Sequence, residues 1–399
     1  MPMPLEGIRI LDMTIWQQGP HSTAMLADMG AEVIKIEQPV VGDPGRGLVV
    51  VDPSTGLSPY FESHNRGKKS ITIDMKKDEG RKLVYRLVEN SDVFVQNFRL
   101  GVADRLGVGY GVLSKINPKL IYASASGYGP KGPDRERPSF DVIGVARSGA
   151  MSVTGEPDGP PGRIGMALGD QVGGMVLAYG IVLALLARER YGVGQELDVS
   201  LLGSLVALQD SGFLRYLLTG LPSQRVARKN TQNPLWNVYR AQDGRWVSLG
   251  MLQSDRYWHK FCKVMGIEHV EHDPCFESHL KRQENCTRLI EVLDDVFARK
   301  PQAQWLAELG AEDLICGPVN TYADLAQDPQ VIANDYIVDL VHPVAGRVKV
   351  PGIPVQLGKT PGRVRGAAPE LGQHTEEVLL NIVGCTWEEI QGLREREVI

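Results

Sequence analysis

What this sequence lacks narrows the field first. It has only five cysteines in 399 residues, Cys262, Cys275, Cys286, Cys316 and Cys385. An odd, widely scattered set argues against a disulfide scaffold and for a reducing compartment. Residues 1–20 lack a basic start followed by an apolar core, so no secretory signal is visible and a cytoplasmic protein is expected. A basic excess is also missing. The net charge of −5 gives no overall pull toward nucleic acid or an anionic membrane, so neither is expected as a partner. Any phosphate-bearing ligand must then be held by a local cluster of Lys and Arg. The most membrane-like run, Met175 to Ala187, is broken only by Gly180 and falls short of the ~20 residues that cross a bilayer. Charged residues flank it on both sides, and it reads as a buried core helix. No internal repeat, low-complexity tract or G-x-S-x-G elbow occurs.

What is present is the composition of a globular protein, 43% hydrophobic and 23% charged. The length suggests two domains, and 44 glycines point to many tight turns or close backbone approaches. Up to residue 210 the chain alternates strands (8–13, 32–36, 70–73, 92–95, 120–124, 197–199) with helical stretches (20–29, 78–90, 171–190). That alternation means βαβ units and a mostly parallel sheet. Residues 211–235 read as a linker. Residues 236–318 read as a small α+β domain, opening on a hairpin across Asp243-Gly244 and continuing in three helices near 255–265, 288–298 and 303–309. Residues 319–399 return to the large domain through a β-rich stretch (348–357) and a helical pair (375–382 and 387–394).

Several candidates for chemistry fail on their surroundings. Gly127, Gly129 and Gly132 spell G-x-G-x-x-G after a strand. A dinucleotide loop must open a helix there, whereas Pro130, Pro133 and Pro138 interrupt the segment. His269, His272, Cys275, His279 and Cys286 match no familiar zinc spacing, and no metal is expected. Asp170, in Ala-Leu-Gly-Asp-Gln-Val-Gly-Gly-Met, has two readings. It is either the N-cap of the long apolar helix, or a carboxylate nucleophile that the helix dipole keeps ionised and flanking glycines leave approachable.

Taken together, the segments resemble the class III CoA-transferases, the family of formyl-CoA transferase, carnitine CoA-transferase and α-methylacyl-CoA racemase. The matching runs include Pro-Leu-Glu-Gly-Ile-Arg-Ile-Leu-Asp-Met-Thr (4–14), Gln-Gly-Pro (18–20) and Leu-Ala-Asp-Met-Gly-Ala-Glu-Val-Ile-Lys-Ile-Glu (26–37). Others are Asn-Arg-Gly-Lys-Lys-Ser-Ile-Thr-Ile-Asp-Met-Lys (65–76), Val-Gln-Asn-Phe-Arg (95–99), Gly-Asp-Gln-Val-Gly-Gly (169–174) and Leu-Gly-Gln-His-Thr (371–375). They run in order along essentially the whole chain.

The resemblance implies an α/β fold: a large domain with a Rossmann-like parallel sheet but no nicotinamide, plus the smaller domain. It also implies a homodimer of interlocked rings. Asp170 becomes the attacking carboxylate and Gln17 the amide beside it. Ile73 and Lys76 fall at the adenine end of CoA, and Asn97, Phe98 and Arg105 along its nucleotide and pantetheine. No permanently bound cofactor is implied; acyl-CoA is the donor substrate and a carboxylic acid the acceptor. Gln38 stands where formyl-CoA transferase carries an Arg, leaving Arg46 as a possible substitute, and residues 248–253 lack that enzyme's glycine run, which argues against oxalate as acceptor. Trp16, Tyr60, Phe61, Leu235 and Trp236 favour a hydrophobic or medium-sized acyl group. Two alternatives stand beside transfer. One is racemase-type proton exchange, disfavoured because Phe140 replaces the racemase's His and Gln253 its Glu. The other is a subunit of a heteromeric transferase.

Overall fold

In the computed structural model, which describes residues 2–50 and 56–399, six strands form one parallel sheet. They are β1 (Arg9–Met13), β2 (Glu32–Glu37), β3 (Lys69–Thr72), β4 (Val93–Gln96), β5 (Ile121–Ser126) and β6 (Gln195–Ser200), in the order β3-β2-β1-β4-β5-β6. Each lies within about two residues of its expected bounds. Parallel pairing requires crossovers, and helices provide them. These are α1 (Gln18–Asp28), α2 (Pro59–Asn65), α3 (Asp78–Glu89), α4 (Val102–Arg105), α5 (Tyr110–Ile116), α6 (Asp141–Arg147) and α7 (Leu168–Tyr191). Two more, α8 (Leu201–Leu208) and α9 (Asp210–Thr219), follow β6. The stretch 211–235, expected as a linker, therefore contains most of α9.

Strand side chains alternate between faces, and the central strands are covered on both faces, which is why β1, β4 and β5 read as largely apolar runs while the edge strands β3 and β6 do not. Leu11, Ile34, Ile71 and Phe94 share a core with Leu83 and Leu87 of α3 and with Val378 and Ile390 near the C-terminus. Ile10, Val33, Val93 and Ile121 share another with Leu26 of α1 and Leu177 and Ile181 of α7. The edge strand β3 is pinned by the Leu-Gly-Gln-His-Thr run. His374 N–H donates to Ser70 O (2.8 Å), and Thr72 N–H donates to Thr375 Oγ1 (3.1 Å). A strand edge left open invites pairing with other chains, and this segment closes it.

Helix α7 is 24 residues long, and by length and composition alone it is long and apolar enough to cross a membrane. The expected buried core helix is thus corrected to one buried on a single side. Leu177, Ile181 and Leu185 face the core, whereas Met175, Tyr179, Val182, Leu183 and Leu186 are exposed in the single chain.

The chain divides into two compact units, one of residues 1–150, 164–221 and 329–399, the other of 151–163 and 222–328. The first holds the parallel sheet and an antiparallel pair, β10 (Ile337–His342) and β11 (Gly346–Pro351). The second is built on β7 (Val238–Arg240), β8 (Trp246–Leu249) and β9 (Cys316–Pro318), all antiparallel. The hairpin turn places Gly244 at φ +79°, a conformation glycine adopts without strain. Its core stacks Tyr239 on Phe297, with ring centroids 4.8 Å apart, and sets Trp305 against the same Phe297 at 5.3 Å. In this unit His279 Nδ1 contacts Ser254 Oγ (2.9 Å) and His259 Nδ1 contacts Glu271 (2.7 Å).

Two glycines let α7 approach α1. A Cβ at Gly173 would sit 2.8 Å from Nε2 of Gln18, the far end of a flexible side chain. A Cβ at Gly174 would sit 2.9 Å from the Gln18 backbone oxygen and 2.8 Å from the His21 ring. Alanine gains up to about 1 kcal/mol of helix propensity over glycine, whereas overpacking against backbone costs roughly 1–3 kcal/mol. Chemical denaturation should therefore show Gly173→Ala near neutral and Gly174→Ala clearly destabilised. Equal midpoints for the two would contradict this account of the helix contact.

Candidate active site

The strand order reverses between β1 and β4, and in open α/β sheets ligands bind at the carboxyl ends of the strands on either side of such a point. The segment leaving β1 there, Thr14–Gln17, is fastened by side chains. Thr14 N–H donates to Asp12 Oδ1 (3.0 Å), and Thr14 O accepts from Lys35 Nζ (2.7 Å). Ile15 N–H donates to Asn97 Oδ1 (2.9 Å), while Asn97 Nδ2 returns a hydrogen bond to Ile15 O (2.6 Å). Trp16 N–H donates to Asp43 Oδ1 (3.1 Å). These ties hold Trp16 at φ +66°, a strained region for a bulky residue. Gln17 follows as the buried residue that opens α1.

The anchoring groups form a buried charge network. Lys35 pairs with Asp43 (2.9 Å), and Lys68 pairs with Asp12 (2.8 Å); all four side chains are fully enclosed. Burial disfavours the charge on Asp12, but Lys68, Lys35 and the hydrogen bonds to it outweigh that and hold its carboxyl far below the usual range. Burial lowers Lys68 to about 8, with Asp12 acting in the opposite direction. Around Lys35, the carboxylates of Asp12, Asp43 and Glu37 overcome burial and raise its pKa.

Asp170 lies in the first turn of α7 but is not its cap. The N-cap is Ala167. Asp141 Oδ1, from α6, instead accepts the N–H groups of Gly169 (2.6 Å) and Asp170 (3.2 Å). The capping reading of Asp170 is thereby corrected, and Asp141 takes that task. Burial first, and the Asp141 charge second, push the Asp170 carboxyl up to about 7. Tyr60 is raised by burial and by the charges of Asp170 and Asp43. Burial lowers His64 and His21 to about 4, so both rings are neutral near pH 7. His64 Nδ1 lies 2.6 Å from Tyr60 O and therefore carries the proton, leaving Nε2 to accept from Gln171 Nε2 at 3.3 Å. The ring of Phe140, beside Asp141, meets Trp16 edge-on at 6.0 Å.

A cavity of about 870 Å³ opens at the ends of β4, β5 and β6. Asn97, Phe98, Trp16 and Phe140 line it; Asp170 and Gln17 do not. Arg105 has its guanidinium beside Gly101 at the cavity rim, where a Cβ on that glycine would lie 3.4 Å from Nη1. Ile73 and Lys76 are not brought to this cavity. Ile73 is 1% exposed within the core, and Lys76 is exposed just beyond the edge strand. Arg46 is committed elsewhere: it holds both oxygens of Glu37 (2.6 and 2.8 Å), donates to Pro369 O (3.0 Å) and stacks over Phe61 at 3.9 Å. It is thus bound internally and not free to replace the contact missing at Gln38. Leu235 is fully buried in the core of the second unit. Of the loop 48–60, residues 51–55 lie outside the described residues.

Sequence reading missed Asp43, His64 and Arg99. Arg99 lines the cavity and has no ion pair among the described residues. Its place directly after Asn97-Phe98 was the available signal.

Residues 5–375 match the profile of CoA-transferase family III. The succinyl-CoA–D-citramalate CoA-transferase of Chloroflexus aurantiacus is 33% identical over 100% of this chain and 98% of its own length. The acetyl-CoA:oxalate CoA-transferase of Acetobacter aceti is 36% identical over 93% of each. Among solved structures, a CAIB/BAIF family protein from Brucella suis superposes with a TM-score of 0.87 at 31% identity, covering 96% of this chain and 100% of that one. A six-stranded parallel sheet, a family match over residues 5–375 and full-length relatives agree: this chain belongs to CoA-transferase family III.

Proposed function

We propose that the protein transfers CoA between carboxylic acids through an aspartyl-CoA thioester on Asp170. The observation that carries this is a mostly buried carboxylate to which no hydrogen bond adds stabilisation among the described residues. The Asp170 carboxylate attacks the donor thioester carbonyl and expels CoA thiolate, forming a mixed anhydride. The thiolate attacks the aspartyl carbonyl, releasing the donor acid as its carboxylate and leaving aspartyl-CoA. The acceptor carboxylate then attacks that carbonyl and expels the thiolate. The thiolate takes the acceptor's acyl group, and Asp170 returns as a carboxylate. No net proton is consumed, and one exchange becomes several easier acyl transfers. Each tetrahedral stage needs preplaced donors, and the Gln17 amide is our candidate. Asn97, Phe98 and Arg105 are proposed for CoA at the cavity; Ile73, enclosed in the core, and Lys76, exposed away from the cavity, are not included in that proposal.

Phe140 supports transfer over racemisation, since its ring has no group that exchanges a proton. The two relatives are named for succinyl-CoA with D-citramalate and for acetyl-CoA with oxalate, whereas Trp16, Phe140 and Tyr60 supply aromatic surface here, and we infer a medium-sized acyl group. The exposed apolar face of α7 supports the homodimer. A helix apolar all round is normally enclosed, and a second copy would enclose it.

Mass spectrometry of protein incubated with a panel of acyl-CoAs and quenched with hydroxylamine should find Asp170 modified. Asp170→Ala should lose transfer by at least about a thousandfold; wild-type exchange by that variant would sink the assignment. Because the attacking form is the anion, kcat/KM should rise with pH through an inflection near 7 and level off above it. A flat profile between pH 5 and pH 9, at saturating stability, would contradict an attacking group with that pKa. Light scattering should give a dimer for the chain expressed alone, and that dimer should be active. An active monomer, or an inactive dimer that needs a second protein, would replace the homodimer reading.

A further inference from the structure

Helix α7 begins without a cap of its own. Ala167, at its N-cap, offers no side-chain acceptor, and the leading N–H groups of a helix are orphaned unless an acceptor meets them. The acceptor comes from 28 residues earlier in the chain, Oδ1 of Asp141. It takes Gly169 N–H and Asp170 N–H, the second and third helical positions, which are the donors a capping side chain ordinarily serves. The seat is close-fitting. A Cβ at Gly169 would lie 3.1 Å from that same Oδ1 and 3.2 Å from Leu205 Cδ1, so a larger residue would crowd the cap.

We propose that Asp141 is a positioning residue for the nucleophile, capping α7 in place of Asp170 so that the Asp170 carboxylate stays unpaired and basic. The proposal rests on the reading of Asp170 given above. Its geometric part follows from the donors already occupied: the N–H groups of Gly169 and of Asp170 itself, nearest the Asp170 carboxylate in the first turn, are taken by Asp141. Its electrostatic part concerns charge. A bare helix N-terminus would stabilise the Asp170 anion and weaken it as a base and nucleophile; Asp141 sets a negative charge there instead. The other groups around Asp170 carry no opposing charge near pH 7. Tyr60 of α2 is a protonated phenol, and His64 of α2 and His21 of α1 are neutral.

Two variants separate the parts. Asp141→Asn keeps an oxygen for the two N–H groups and removes the charge; Asp141→Ala removes both. In protein labelled with 13C at aspartate carboxyls, the Asp170 resonance, assigned by its loss in Asp170→Asn, reports titration without turnover. In Asp141→Asn its midpoint should fall by about one pH unit or more, and the acid limb of kcat should follow it. KM for acyl-CoA should stay within about twofold, because binding is not the affected step. Asp141→Ala should lose kcat by about ten- to a hundredfold, and Asp141→Glu should recover part of it. An unmoved Asp170 midpoint in Asp141→Asn overturns the proposal, as does wild-type kcat in Asp141→Ala. If instead Asp170→Ala retains full transfer, the nucleophile reading fails while the titration result still stands or falls by itself.

Discussion

The segment between β1 and α1 is held entirely by side chains, and the site depends on that. From Thr14 N–H to Trp16 N–H, each successive backbone polar group meets a partner on Asp12, Lys35, Asn97 or Asp43. Asp12 and Asp43 are themselves neutralised by Lys68 and Lys35, and Glu37, which accepts Asp43 N–H at 3.0 Å, is neutralised by Arg46. Removing one partner from a buried pair costs roughly 3–5 kcal/mol, because the other charge is left uncompensated. Such a network is poor at adding stability and good at fixing one geometry. What it fixes here is Trp16 in a left-handed conformation, and therefore the start of α1 at Gln17.

The same network occupies the turn that a dinucleotide fold gives to its cofactor. In a dinucleotide fold the first βα turn is glycine-rich so that backbone can approach a pyrophosphate. Here that turn is occupied by Trp16 and Gln17. Its nearest glycine, Gly19, faces Thr14, where a Cβ would lie 2.5 Å from the Thr14 methyl, so it serves packing. The G-x-G-x-x-G motif lies instead after β5, where Gly129 and Gly132 take positive φ in turns and the next helix begins only at Asp141. Strand order alone does not assign chemistry; the residues at the strand ends do.

The parallel sheet was legible because strands buried on both faces leave an unambiguous mark, short β-branched runs between turn signals. The hairpin over Asp243-Gly244 was legible for a similarly local reason. The site was legible only in pieces. Asp170 stands out between glycines, yet its N–H is capped by Asp141, and no spacing rule joins residues 29 apart in different helices. Arg46 looked available because sequence shows a charge but not its partners, and Glu37, Pro369 and Phe61 converge on it only in the fold. Helix α7 was legible in extent, 171–190 against Leu168–Tyr191, but an apolar stretch does not show which of its sides the single chain leaves exposed.

Four aspartates show how much of the function is set by surroundings and how little by residue type. Asp12, enclosed by Lys68 and two hydroxyl donors, Thr14 and Thr23, is held ionised at every ordinary pH. Asp43, beside Lys35 and two backbone N–H groups, is consumed in holding the turn. Asp141 spends its oxygen on the start of α7. Asp170 alone combines burial with a like charge and no compensating donor, and it alone is driven toward neutral pH. Where environments separate otherwise identical groups in this way, the displaced one is the candidate for chemistry. Of the other three, Asp141 adds to that displacement directly, since it occupies the N–H groups at the start of α7 and sets its charge beside Asp170.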